Sequence, residues 1–153
     1  MQIRIIAVGQ RMPAWVDAAV DDYLKRLAGT MRIELVIVRT QPRGEAGALL
    51  AREAARIRQA LPAGARVVAL DERGEDVDSI ALSRRLVRWR EQAVPVAIVI
   101  GGPDGLDPAL KRDAHESLRL SSLTLPHGLA RVLLVEQLYR AWSIDANHPY
   151  HRE

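Results

Sequence analysis

Apolar residues fall in two rhythms along this chain, short unbroken runs and longer stretches in which they recur three and four places apart. Gln2 to Val8, apolar apart from Gln2 and Arg4, reads as a strand closing at Gly9. Pro13 then opens a helix to about Leu27 with Trp15, Val16, Ala19, Val20 and Leu24 on one face and Gly29 as its stop. Ile33 to Val38 is a second strand. Arg39 to Gly47 is a polar loop, best placed in solvent, and a helix follows from about Ala48 to Leu61, ended by Pro62 and Gly64. Arg66 to Leu70 is a third strand and Asp71 to Ser79 an acidic, solvated turn, with Asp78 or Ser79 capping a helix that runs to about Gln92. Val96 to Ile100 makes strand four, Pro108 to Glu116 a short helix, Leu118 to Leu123 a fifth strand and Pro126 to Ile144 the last helix.

Strands alternate with helices throughout, so the pattern predicts an α/β fold, a mostly parallel sheet flanked by helices. No repeat, low-complexity tract or linker divides the 153 residues, which are read as one domain. A domain of this size buries about 70% of the surface its unfolded chain exposes. The last helix is apolar over more than one side: Leu129, Val132, Leu133, Leu134, Val135, Leu138, Tyr139, Ala141 and Trp142 spread beyond a single stripe. It needs two apolar neighbours. The sheet is one; the other is the same helix of a second subunit or, alternatively, the interior of the monomer.

Composition narrows the chemistry. Cysteine is absent, which excludes disulfides and thiolate metal sites, and with no charged-then-apolar leader and no run long enough to span a bilayer, the cytoplasm is the expected location and no membrane partner is expected. Net charge is +3, and apart from Lys25 and Lys111 every basic side chain other than histidine is arginine. Arginine suits bidentate phosphate contacts and base stacking, although genomic base composition accounts for the bias as readily.

Candidate chemistry concentrates in the last third. Gly101, Gly102 and Gly105 follow strand four, at the carboxyl end where open α/β sheets bind ligands. Their spacing fits neither GxGxxG nor GxxxxGK[ST], so nucleotide phosphate is not the indicated ligand. They suit main-chain recognition of a flat adenine, or form only a tight connection. His127, at the start of the last helix, sits where the positive end of the dipole favours neutral imidazole, which can accept a proton or merely hydrogen-bond. Glu136 and Arg140 are spaced for a helix ion pair, and Arg131 and Arg152 read as solvated or phosphate-facing. His115, His148 and His151 have no metal spacing, and no serine sits in GxSxG, so neither a metal site nor a serine triad is expected.

The motifs IGGPDGL, TLPH followed by EQLYRAW, and the terminal PYHRE, together with IIAVGQRMPAWV at the start, resemble the RlmH (YbeA-like) family of SPOUT methyltransferases over essentially the whole chain. The resemblance implies a C-terminal trefoil knot, a homodimer, S-adenosylmethionine as cofactor, and methylation at N3 of a pseudouridine in 23S rRNA within the ribosome. It implies a cofactor pocket at Leu70, Gly102, Ser121, Ser122, Leu123, Thr124, Leu125 and Pro126, and catalytic positions at His127, Tyr150 and Arg152. On this reading His127 takes or relays the imide proton, Arg152 faces developing negative charge or phosphate, and Tyr150 stacks on the base or bonds to it. The short polar tail is expected to gain order only against the other subunit's cofactor loop. Two other readings remain: a non-catalytic α/β dimer that binds an adenine-containing ligand, and a ribosomal scaffold in which the glycine turn is only a connection.

Overall fold

The computed structural model describes residues 1–9, 11–40 and 44–152. Five strands, β1 (Gln2–Gly9), β2 (Arg32–Arg39), β3 (Arg66–Asp76), β4 (Val96–Ile100) and β5 (Glu116–Arg119), form one sheet in the order β2-β1-β4-β3-β5, and every neighbouring pair is parallel. Parallel neighbours require crossover connections, and the helices α1 (Ala14–Leu27), α2 (Ala46–Ala60), α3 (Ser79–Gln92) and α4 (Pro108–Asp113) supply them, while α5 (His127–Asp145) follows the last strand. A short 3-10 helix, Pro149–Arg152, follows.

Alternation along the strands divides the core in two. Ile3, Ile5, Ala7, Val68, Ile98 and Leu118 meet Val16 and Val20 of α1, Leu86 and Trp89 of α3, and Leu134 and Leu138 of α5. Ile6, Val8, Ala69, Ala97 and Val99 face the other way, against Ala54 and Ile57 of α2, Leu106 before α4 and Leu110 within it. Each fully buried Ile, Leu or Val contributes on the order of 2 kcal/mol, so these two layers hold the fold. The second apolar neighbour that the breadth of α5 demands is therefore found within the chain: α5 lies on the sheet with α1 along one flank and α3 along the other.

Two expectations at the right edge of the sheet need correction. β3 does not stop at Leu70. It bulges over residues 71–74 and returns, so that Leu70 and Glu75 both register with Leu118 and Asp76 pairs with Arg119. Gly74 permits the return, because a β-carbon there would lie 2.5 Å from the Leu118 main chain. The acidic segment is thus part of the sheet edge, and Glu75 accepts a hydrogen bond from Arg85. β5 also begins and ends earlier than the apolar pattern indicates. His115 anchors its start through paired bonds with Val67, and the chain leaves the sheet after Arg119, turning where Ser121 Oγ accepts from the Leu123 N–H at 2.9 Å.

Smaller differences lie at helix ends: α2 starts at Ala46 and α4 ends at Asp113. Residues 41–43 of the polar loop between β2 and α2 lie outside the described residues, as does the terminal Glu153. Asp78 is the cap of α3, its Oδ1 accepting from the Ala81 N–H at 2.7 Å. Glu116 ties the edge together. Its carboxylate accepts from Arg66 at 2.6 Å, Arg85 at 2.6 Å and the Trp89 indole at 2.8 Å, joining β3, β5 and α3.

Candidate active site

The carboxyl ends of β3 and β4, the β5–α5 loop and the first turn of α5 enclose a cleft of about 800 Å³, within the range of small-molecule sites. Its walls include Leu70 at the end of β3, Asp71, Glu72 and Arg73 from the bulge, Gly101, Gly102, Asp104 and Gly105 from the glycine turn, and Ser121, Leu123, Thr124, Leu125 and Pro126 from the loop. His127 and Ala130 close it at α5. Ser122 is exposed on the same loop but is not part of the wall. A second cavity of about 290 Å³ shares Leu70, Arg119 and Leu120 with the cleft but is lined mainly by core side chains such as Val68, Leu82, Trp89 and Ile98.

Of the two readings of the glycine turn, its geometry bears on the tight connection. It is a tight connection: a β-carbon on Gly101 would sit 2.6 Å from the carbonyl of Gly105, Gly105 has φ +79°, and the Gly105 N–H bonds to the Gly102 carbonyl at 3.0 Å. It also presents main chain to the cleft. The bulge supplies carboxylates at Asp71 and Glu72, partly balanced by the Lys111 ammonium 3.2 Å from Asp71. Apolar walls that also carry both charge signs suit a ligand that is apolar in part and charged in part.

His127 is joined to this turn. Its Nδ1 lies 3.0 Å from the Gly101 carbonyl and its Nε2 lies 2.9 Å from Arg131 Nη2. A carbonyl only accepts and a guanidinium only donates, so Nδ1 carries the proton and Nε2 is the acceptor. Burial, then the charge of Arg131, holds the imidazole pKa below its usual value, so the ring is neutral as the helix-start position predicts. Its only lone pair, however, is already engaged. The expectation that Arg131 is solvated or meets phosphate is overturned. Only 2% of Arg131 is exposed, and burial lowers its pKa.

Tyr150 and Arg152 are not in the cleft of their own chain. The tail does not wait for a neighbour to become ordered: the 3-10 helix packs against its own α1 and α5, with the His148 N–H bonded to the Ser143 carbonyl at 2.8 Å. The Tyr150 ring meets Tyr139 edge-on at 4.5 Å, and its hydroxyl lies 3.0 Å from Glu136 Oε1 and 3.1 Å from the Tyr23 hydroxyl. Glu136 and Arg140 form the foreseen ion pair at 2.7 Å, and the Arg140 guanidinium covers the Tyr150 ring. Arg152 is exposed. Of the residues singled out from sequence, the structure brings together Leu70, Gly102, the loop before α5 and His127, and keeps the tail apart from them. The sequence pattern does not single out the bulge residues, and it does not show the contact of Arg131 with His127. Gly74 inside an acidic segment was the available signal for the first, and the i, i+4 spacing of His127 and Arg131 for the second.

Among the described residues no three His, Asp or Glu side chains gather as a metal site, and no helix is long and apolar enough to cross a membrane. Residues 1–151 match the family model described as "Predicted SPOUT methyltransferase". The protein named ribosomal RNA large subunit methyltransferase H from Albidiferax ferrireducens is 58% identical over the full length of both chains, and that of Verminephrobacter eiseniae is 56% identical, again over both full lengths. Among solved structures, a probable methylase family protein from Haemophilus influenzae Rd KW20 aligns over 97% of this chain and 69% of its own with TM-score 0.63 at 17% identity. A probable methyltransferase from Bordetella pertussis Tohama I aligns over 92% and 95% with TM-score 0.61 at 22% identity. These two likenesses concern the fold.

Proposed function

Since the chain belongs to the SPOUT methyltransferase family, and within it to the RlmH group, we propose that it methylates N3 of a pseudouridine in 23S rRNA of the bacterial ribosome, with S-adenosylmethionine as donor. The observation that carries this reading is the cleft itself, in which Leu70, Gly102 and the 121–126 loop converge at one sheet edge beside His127. The main chain of the glycine turn and the loop would hold the adenine, with Asp71 and Glu72 near the charged end of the donor. Bound there, the donor supplies an electrophilic methyl group on a sulfonium centre.

The chain must then position the base in line and lower the cost of charge on an imide nitrogen that keeps its proton at neutral pH. With the His127 lone pair held by Arg131, we assign activation to charge stabilisation, Arg152 facing the imide oxygen or a flanking phosphate while the proton leaves to solvent. Tyr150 stacks on the base or bonds to it. Because neither tail residue lines its own chain's cleft, the site is composite, completed by the tail of a second subunit in a homodimer. The surface around the start of α5 supports such pairing: Leu129 is 39% exposed, Leu123 77% and Trp15 55%.

A net charge of +3 is too small to select one rRNA loop through phosphate attraction, so shape contributes and the assembled ribosome in the cytoplasm is the substrate in preference to a bare hairpin. The test incubates purified protein with labelled donor and ribosomes that lack the modification. Label at N3 of a pseudouridine of the large-subunit RNA is the expected result. Deleting residues 149–153 should spare donor uptake and abolish transfer. Donor uptake with no transfer to any RNA would replace this reading with the binding-only dimer, and no uptake at all would leave a scaffold.

A further inference from the structure

Arg131 is a buried cation that the methyl-transfer reading leaves without a role. Only 2% of it is exposed, its Nε has no hydrogen-bond partner among the described residues, and the main chain of Gly9 lies over it so closely that a β-carbon there would be 3.1 Å from Nη2. Asp17 of α1 is the acidic group that acts on it, at longer range than a salt bridge, and Glu53 of α2 lies beside Gly102. An apolar side chain of similar length would fill this place at lower cost than a desolvated guanidinium, so what Arg131 does with its one side-chain hydrogen bond among the described residues matters.

That contact is the His127 Nε2 at 2.9 Å. Resting on the reading of the cleft as the donor site, we infer that Arg131 is a positioning residue: by occupying His127 Nε2 it holds the imidazole in the Nδ1–H form, which in turn clamps the Gly101 carbonyl and fixes the glycine turn for donor binding. In a neutral imidazole one nitrogen donates and the other accepts. With Arg131 donating to Nε2, the proton stays on Nδ1, 3.0 Å from the Gly101 oxygen. The opposite tautomer would set an N–H against the guanidinium and a lone pair against the carbonyl, and imidazolium would add two like charges. The peptide plane of Gly101–Gly102 is rigid, so fixing its oxygen also fixes the Gly102 N–H on the opposite side. Gly101 has no room to compensate, because any shift toward Gly105 closes a gap already too small for a β-carbon. His127 thus acts as a donor toward the turn rather than as the acceptor of the substrate's proton.

The test has an arm independent of activity. In protein labelled with nitrogen-15 histidine, the His127 ring, assigned by its loss in H127N, should show the Nδ1–H tautomer and remain neutral when the pH is lowered below the usual histidine range; an Nε2–H ring in the wild-type protein would overturn the inference. In R131M the ring should sample both tautomers and titrate closer to the ordinary value. Calorimetry with S-adenosylmethionine should show about a tenfold loss of affinity for H127A and for R131M, with H127N recovering most of the H127A loss because its amide still donates to Gly101. Donor affinity untouched by H127A overturns the clamp without reference to R131M, which has to fold to be informative. H127N that binds donor normally but loses methylation together with one limb of the pH profile makes His127 the proton acceptor and also overturns it. Wild-type protein that takes up no donor defeats the reading of the cleft, while the tautomer still reports on the Arg131 contact.

Discussion

The hydroxyl of Tyr150 donates to Glu136 Oε1 across 3.0 Å, pinning the end of the chain to the middle of α5, and it shares a second hydrogen bond of 3.1 Å with the Tyr23 hydroxyl. Y150F should therefore free the tail at a cost of about 1 kcal/mol, read as a lower urea midpoint and faster hydrogen exchange at residues 148–152. Burial, then the contacts with Tyr23 and Glu136, raise the Tyr150 phenol above its usual value. A raised folded-state pKa gives stability that is present below the unfolded value of about 10 and lost as pH climbs through the folded one. The stability difference between wild type and Y150F should accordingly narrow only in strongly alkaline solution, and Y150F should delete an ionisation step above the normal tyrosine range.

Glu116 sets the acid limit of the sheet edge. Its carboxyl is buried, which alone would raise its pKa, but hydrogen bonds from Arg66, Trp89 and Arg85 outweigh burial and lower it. E116Q leaves Arg85 under-paired in a site where both side chains are about 10% exposed, and should cost about 3 to 5 kcal/mol at pH 7. A depressed folded-state pKa means this contribution is present above the unfolded value of about 4.3 and disappears as pH falls through the folded one. Denaturant titrations of wild type and E116Q should therefore converge in acid and stay apart at neutral pH.

Substituting Gly101 by alanine should deform the cleft. The new β-carbon meets main chain of Gly105 at 2.6 Å, so the turn has to open, at a stability cost of about 2 kcal/mol and with loss of donor uptake. Gly29→Ala is the control. No heavy atom lies within 4 Å of a β-carbon there, and its stability should stay within about 0.5 kcal/mol of wild type. Equal donor affinity in G101A and G29A would separate the turn from the ligand site.

The proposed dimer is tested at Leu129, which is 39% exposed on the first turns of α5. L129D should shift sedimentation toward the monomer and make methylation depend steeply on protein concentration, with the thermal midpoint little changed because the side chain contributes little to the monomer core. A variant that sediments as wild type would move the interface away from α5.

Much of this protein was legible along the chain. The apolar stretches Ile5 to Val8 in β1 and Val96 to Ile100 in β4 read as strands, and the structure buries them completely. Pro13 and Pro126, each opening a helix, and Asp78 marked helix starts because each fits the helix-start geometry by itself. The cleft's glycine turn was likewise readable, since three glycines after a buried strand signal close main-chain approach. β3 was cut short in the reading because residues 71–76 are charged, and edge pairing beyond a bulge is paid for by the partner strand, which local polarity does not reveal.

Sequence alone determined the alternation of strands and helices, hence a parallel α/β sheet, and marked Gly101 to Gly105 as a place of close main-chain approach, because hydrophobic period and glycine tolerance are properties of neighbouring residues. Tertiary structure decided the rest. Whether Arg131 is wet or buried, which nitrogen of His127 holds its proton, and where Tyr150 rests depend on Gly9, Gly101, Tyr23 and Glu136, most of them far away in sequence. Charge and tautomer are set by the groups packed around a side chain, and that company exists only once the chain has folded.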